Sequence, residues 1–94
     1  MPAVYILASK MYGTLYTGFA NDLVTRTWQH KLKVVPGFTK QHDIDKLVWY
    51  EIHESALAAR TREAQIKKWN RAWKVNLIQT MNPTWRDLYL DFTA

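Results

Sequence analysis

The sequence predicts one small α+β domain, in which a few short strands and helices share a single core. Ninety-four residues suffice for one domain of ordinary size. Apolar residues make up 48% and aromatics 14%, a globular composition rather than a disordered one. Three short apolar runs, at 3–9, 14–19 and 47–52, alternate with segments that open on helix-capping residues. A chain this short buries roughly two-thirds of its unfolded surface, so one modest core is expected. The five tryptophans can supply much of it.

The first strand is read at 3–9. Val4, Tyr5, Ile6 and Leu7 are apolar on both faces, as in a central strand. Lys10-Met11-Tyr12-Gly13 reads as a turn, and residues 14–19 as a second strand, so the two form a hairpin. Loop parity then matters. An even loop puts Tyr5 and Tyr16 on the same sheet face, and an odd loop separates them. The even case is the expectation.

Asn21 is the expected N-cap of a helix over 22–31, with Asp22 in its first turn. Leu23, Val24 and Trp28 form its apolar side, and Arg26 and His30 share another face at i, i+4. Pro36-Gly37 marks a turn, and residues 38–42 read as a surface segment in a long loop. Residues 47–52 give the third strand. Ser55 caps a second helix running to about Arg71, and residues 72–80 continue helically until Pro83. Trp85 to Tyr89 suggests a last short helix.

Composition excludes some chemistry. There are no cysteines, so disulfides and thiolate metal sites are ruled out, which fits a reducing compartment. No apolar run approaches the ~20 residues that span a bilayer, and the start has no basic n-region. The expectation is a cytoplasmic chain with no membrane role. The net charge of +5 favours a polyanionic partner such as nucleic acid or an anionic membrane surface. Ser9 and Ser55 have no His/Asp framework, His42 and His53 have no metal-ligand spacing, and Gly13, Gly18 and Gly37 form no phosphate loop.

Three constellations remain. Arg26 and His30 are either a solvated basic face or a pair that neutralises phosphate and moves a proton. Glu63 falls between Ala59 and Ile66 on a mostly apolar stripe that continues to Trp73. It either pairs with Arg60, Arg62 or Lys67, or ligates a cation whose shell is completed by phosphate and water. Lys67-Lys68-Trp69-Asn70-Arg71-Ala72-Trp73-Lys74 interleaves cations with aromatics. It is either core plus solvated face, or a nucleic-acid contact.

Taken together, these residues resemble the GIY-YIG nuclease domain, particularly its small stand-alone bacterial members. Ala3-Val4-Tyr5 occupies the place of the first motif and Tyr16-Thr17-Gly18 that of the second. Arg26 and His30 match the arginine and histidine of the first helix, and Glu63 matches the metal-binding glutamate. Asn82-Pro83-Thr84-Trp85-Arg86-Asp87-Leu88 looks like the small members' C-terminal signature, with Asn82 as the family's asparagine and Asn76 as the alternative.

The resemblance implies a three-stranded antiparallel sheet with the first strand central, flanked by helices. It implies DNA phosphodiester hydrolysis with one Mg²⁺ or Mn²⁺ on Glu63. Tyr16 would activate water, Tyr5 would orient water or phosphate, Arg26 and His30 would contact the phosphate, and Asn82 would support the site. Lys40, Lys67, Lys68 and Arg71 are the candidate nucleic-acid contacts. Many members carry a separate DNA-binding domain, so a protein partner or a homodimer is expected to supply affinity. The chain departs from the pattern at Ala3, Val4 and Thr17, and at Phe19, where some relatives carry a basic residue. That leaves Arg26, His30 or the metal to activate Tyr16. The rival readings are a non-catalytic nucleic-acid-binding module and a protein-interaction domain of the same fold.

Overall fold

A computed structural model describes residues 1–93. The strands are β1 (Ala3–Ala8), β2 (Leu15–Ala20) and β3 (Lys46–Ile52), and the helices are α1 (Leu23–Lys31), α2 (Phe38–Gln41), α3 (Ala56–Lys67), α4 (Arg71–Met81) and α5 (Leu90–Thr93). The sheet is antiparallel with order β2-β1-β3, so the first strand is central. Every residue of β1 is buried, as its apolar character on both faces requires.

The two faces carry separate clusters. Val4, Ile6 and Ala8 pack with Ala59 and Ile66 of α3 and Ile78 of α4. Ala3, Tyr5 and Leu7 pack with Leu23 of α1, Ile44 and Leu88. Strand β3 contains a bulge at Val48, because Ile6 pairs with Trp49 while Leu7 pairs with Leu47. The extra residue lets Val48 and Trp49 both join the α3/α4 cluster while Leu47 joins the other.

The C-terminal turn clamps this bulge. Asn82 Nδ2 donates to the Val48 carbonyl at 3.2 Å. The Leu47 amide donates to Asp87 Oδ1 at 3.1 Å, and the Leu88 amide to the Leu47 carbonyl at 2.8 Å. Asp87 also pairs with Lys31 in the last turn of α1. One short segment thus covers the open side of β3 and ties it to the first helix.

Several local expectations change. Asp22, not Asn21, caps α1, its carboxylate accepting from the Thr25 amide at 3.2 Å. The buried side of α1 is Leu23, Thr27 and His30, whereas Val24 and Trp28 are exposed. The expected continuous helix breaks after Lys67, because Asn70 caps a new one by accepting from the Trp73 amide at 2.9 Å. Trp73 therefore leaves the Ala59–Ile66 stripe and is exposed. Residues 38–41 form a single helical turn after Gly37, whose φ of 107° suits glycine. The last helical turn is 90–93 rather than 85–89.

Candidate active site

The hairpin sets the site. Tyr5 pairs with Gly18 and Leu7 with Tyr16, so both phenols lie on one face, as the even loop requires. Their ring centroids are 6.4 Å apart. Gly18 makes the closeness possible. A Cβ there would stand 2.5 Å from the Tyr5 Oη and 3.0 Å from the Tyr16 ring. Gly18→Ala is therefore expected to push Tyr5 from its seat and cost about 1–3 kcal/mol, as overpacking does. Thermal melting checks this, and a parental melting curve would refute the close packing.

Helix α1 brings His30 against the same face. Its ring centroid lies 6.0 Å from that of Tyr5 and 5.7 Å from that of Tyr16. Its Nε2 is 3.2 Å from the Tyr5 hydroxyl and its Nδ1 is 3.1 Å from Thr39 Oγ1. All three side chains are buried. The segment expected to be mere surface thus supplies Thr39, a partner with no sequence signal beyond its position in a long loop.

Burial raises the Tyr5 pKa well above that of an ordinary phenol, and the Tyr16 phenol and the Glu63 carboxylate push it the same way. Arg26 opposes them. Burial, with the Arg26 charge, lowers the pKa of His30. At neutral pH Tyr5 is protonated and His30 is neutral, so one ring nitrogen of His30 donates and the other accepts. Tyr5, His30 and Thr39 thus form one continuous hydrogen-bonded chain.

The depressed histidine has a consequence for stability. The unfolded chain binds its proton at about pH 6.5, whereas the folded chain resists until lower pH. The contribution of His30 is therefore complete above about pH 6.5 and is lost as pH falls from there through the folded value. Urea midpoints should drop over that range in the parent and drop less in His30→Gln. Parallel profiles would overturn the assignment.

Arg26 is exposed and forms no ion pair among the described residues. It borders a small depression with Asp22, Thr25 and Gln29. Glu63 is half-buried at the flank of the α3 stripe and pairs with Lys67 Nζ at 3.0 Å. Helix α3, which carries Glu63, packs on the other sheet face, against Val4, Ile6 and Ala8, and of the groups that raise the Tyr5 pKa the Glu63 carboxylate contributes least. Arg60 of the same helix lies over the Phe19 ring, 4.9 Å from its centroid. A cation therefore does stand beside that strand position, supplied by the helix.

The other candidates make no contact within the Tyr5–His30–Thr39 hydrogen-bonded chain. Asn82 is buried in the C-terminal clamp. Asn76 lies in a separate tryptophan-lined cleft. Lys40 and Lys68 are exposed. Arg71 donates to the carbonyls of Tyr12 and Gly13 at 2.7 and 2.8 Å, and so holds the hairpin loop.

Among the described residues no group of three or more His, Cys, Asp or Glu could hold a metal. Glu63 is nevertheless a hard oxygen donor whose lysine partner is half exposed and free to swing away. It fits a Mg²⁺-type ion held largely by phosphate and water.

Fold and cluster together define a small α+β domain with two phenols and an imidazole packed on one face of its sheet and an exposed guanidinium on the adjoining helix. The chain belongs to the GIY-YIG catalytic domain family, whose profile matches residues 1–76. It is similar to a UPF0213 protein of Clostridium perfringens, 38% identical over 80 residues, covering 85% of each chain. It is also similar to a UPF0213 protein of Staphylococcus aureus, 36% identical over 67 residues, covering 71% of this chain and 82% of that one. No solved structure matches. No helix among the described residues is long and apolar enough to cross a membrane.

Proposed function

We propose that this chain is a nuclease that hydrolyses DNA phosphodiesters with a single divalent ion, Mg²⁺ or Mn²⁺. The observation that carries the reading is convergence. Tyr5, Tyr16 and His30 lie within 6.4 Å of one another by ring centroids, and the unpaired Arg26 stands one turn before His30 on the same helix. An anionic substrate would satisfy the unpaired guanidinium.

In this reading Arg26 binds the scissile phosphate and offsets the charge that grows in the transition state. Tyr16 is the half-buried phenol at the edge strand and, after releasing its own proton to solvent, takes the proton of the attacking water as the phenolate. Tyr5, held protonated by burial, donates rather than accepts. His30 keeps both ring nitrogens on protein partners, so it orients Tyr5 instead of touching phosphate directly. Glu63 leaves Lys67 to hold the ion. When bound, that ion supplies Lewis-acid stabilisation of the leaving oxygen. Asn82 supports the site from a distance by holding the C-terminal turn.

The wider role follows as part of the same proposal. A cytoplasmic DNA repair or processing step suits such an activity, and a partner protein or a homodimer would add substrate affinity. Purified protein should nick DNA only with Mg²⁺ or Mn²⁺ present, and Glu63→Gln should abolish nicking. Persistent cleavage in Glu63→Gln would sink the metal assignment. The Lys67–Glu63 pair favours one alternative, a non-catalytic binding module in which the carboxylate stays locked. DNA binding without cleavage of any substrate, unchanged in Glu63→Gln, would select it.

A further inference from the structure

A second concave feature lies away from the phenol cluster. Where α3 breaks and α4 begins, a cleft of about 470 Å³ opens between the helices and β3. This falls within the ~300–1,000 Å³ usual for small-molecule sites. Trp49, Trp69, Trp73 and Met81 line it, with Asn76 as a polar contact. Trp49 is a buried floor, while Trp73 is 59% exposed. Trp69 is pinned, with the Arg62 guanidinium 5.2 Å from its ring centroid and the Trp73 ring edge-on at 6.0 Å.

Along the segment that builds the cleft cations outnumber anions, although Lys67 is paired with Glu63 and Arg86 with Asp91. From residue 64 to residue 86 the chain carries Lys67, Lys68, Arg71, Lys74 and Arg86 and no aspartate or glutamate. Lys68 and Lys74 form no ion pair among the described residues. A ligand that matches both features must be a polyanion that also offers flat aromatic faces. Single-stranded nucleic acid does so, because its backbone is anionic and its bases are unstacked. A duplex keeps its base faces buried in the stack.

We propose that the Trp69–Trp73 cleft takes one unpaired base of a single-stranded DNA segment, with the base against the open face of Trp73 and the backbone along Lys68 and Lys74. This cleft would serve the nuclease reading, on which the identity of the polyanion rests, by gripping an unpaired stretch beside the scissile bond.

The test is binding of a fluorescein-labelled oligothymidylate to the intact chain, read by anisotropy at low salt in EDTA. Trp73→Ala should weaken binding roughly 5- to 150-fold, the range produced by losing one stacked base. Trp73→Phe should restore most of it. An abasic oligonucleotide of equal length and charge should bind the unsubstituted chain as weakly as oligothymidylate binds Trp73→Ala. This arm does not depend on how the variant folds. Blunt duplex should be insensitive to the substitution.

Equal affinity for thymidylate and abasic strands would overturn the proposal, and so would absence of any binding. Displacement of the strand by polyglutamate of the same charge would assign the cleft to an acidic protein instead. Cleavage is not read here, so a failure of the nuclease activity and a failure of this cleft give different results.

Discussion

Arg26→Ala is expected to slow DNA cleavage by about 10²–10³-fold, the loss seen when one preorganised charge stabiliser is removed. Arg26 sits on the exposed side of α1, one turn before His30, and has no carboxylate partner among the described residues. Burial is the main cause of the raised Tyr5 pKa and of the lowered His30 pKa, and the Arg26 charge opposes the first and adds to the second. A guanidinium with no structural anion is poised for a phosphate, and its planar fork can grip two oxygens at once. Because it is exposed and unpaired, its removal should change stability by no more than ~0.5 kcal/mol. Arg26→Lys should recover only part of the rate, since a point charge cannot reproduce the fork. Single-turnover cleavage rates beside thermal melts separate the two effects. A rate within a few-fold of the parent, on a folded variant, would mean that the phosphate sits elsewhere.

The elements were legible where the chain carries its own local signal. Apolar residues on both faces of 4–7 marked a central strand, and Ser55 marked the start of α3. Even the shared face of the two tyrosines followed from loop parity. The orientation of α1 did not follow, and the reason is physical. Hydrophobicity placed Val24 and Trp28 inward, yet the helix buries Thr27 and His30. Thr27 satisfies its hydroxyl on the Leu23 carbonyl at 2.7 Å, and His30 satisfies both ring nitrogens on Tyr5 and Thr39. A polar side chain can be buried once its partners are present, but those partners lie nine and twenty-five residues away. No helical wheel contains them. The break between α3 and α4 was missed for a related reason. Asn70 fell inside the helix read as running to about Arg71, whereas its short amide competes for the backbone and starts a new helix.

Asn82→Ala is expected to cost about 2–4 kcal/mol, a large share of the ~5–14 kcal/mol available to a domain of this length. The side chain is buried and makes three contacts. Nδ2 donates to the Val48 carbonyl at 3.2 Å and the Arg86 carbonyl at 2.8 Å, and Oδ1 accepts from the Arg86 amide at 3.3 Å. Alanine would leave these backbone groups without the partner they have now, in a place where water replaces it poorly. Val48 is the bulge residue of β3, so the loss falls where the ladder is already interrupted. The same turn presents Asp87 to Leu47 and to Lys31 at the end of α1. Loosening it should therefore loosen the helix that carries Arg26 and His30. For a domain of this size each kcal/mol lowers Tm by ~4–8 °C, which puts the fall near 10–25 °C. Asn76→Ala is the control, because Asn76 is exposed and should move Tm by only a degree or two. An Asn82→Ala chain that melts with the parent yet no longer cleaves would shift this amide from clamp to catalytic group, because only a role at the reacting phosphate separates rate from stability in that way.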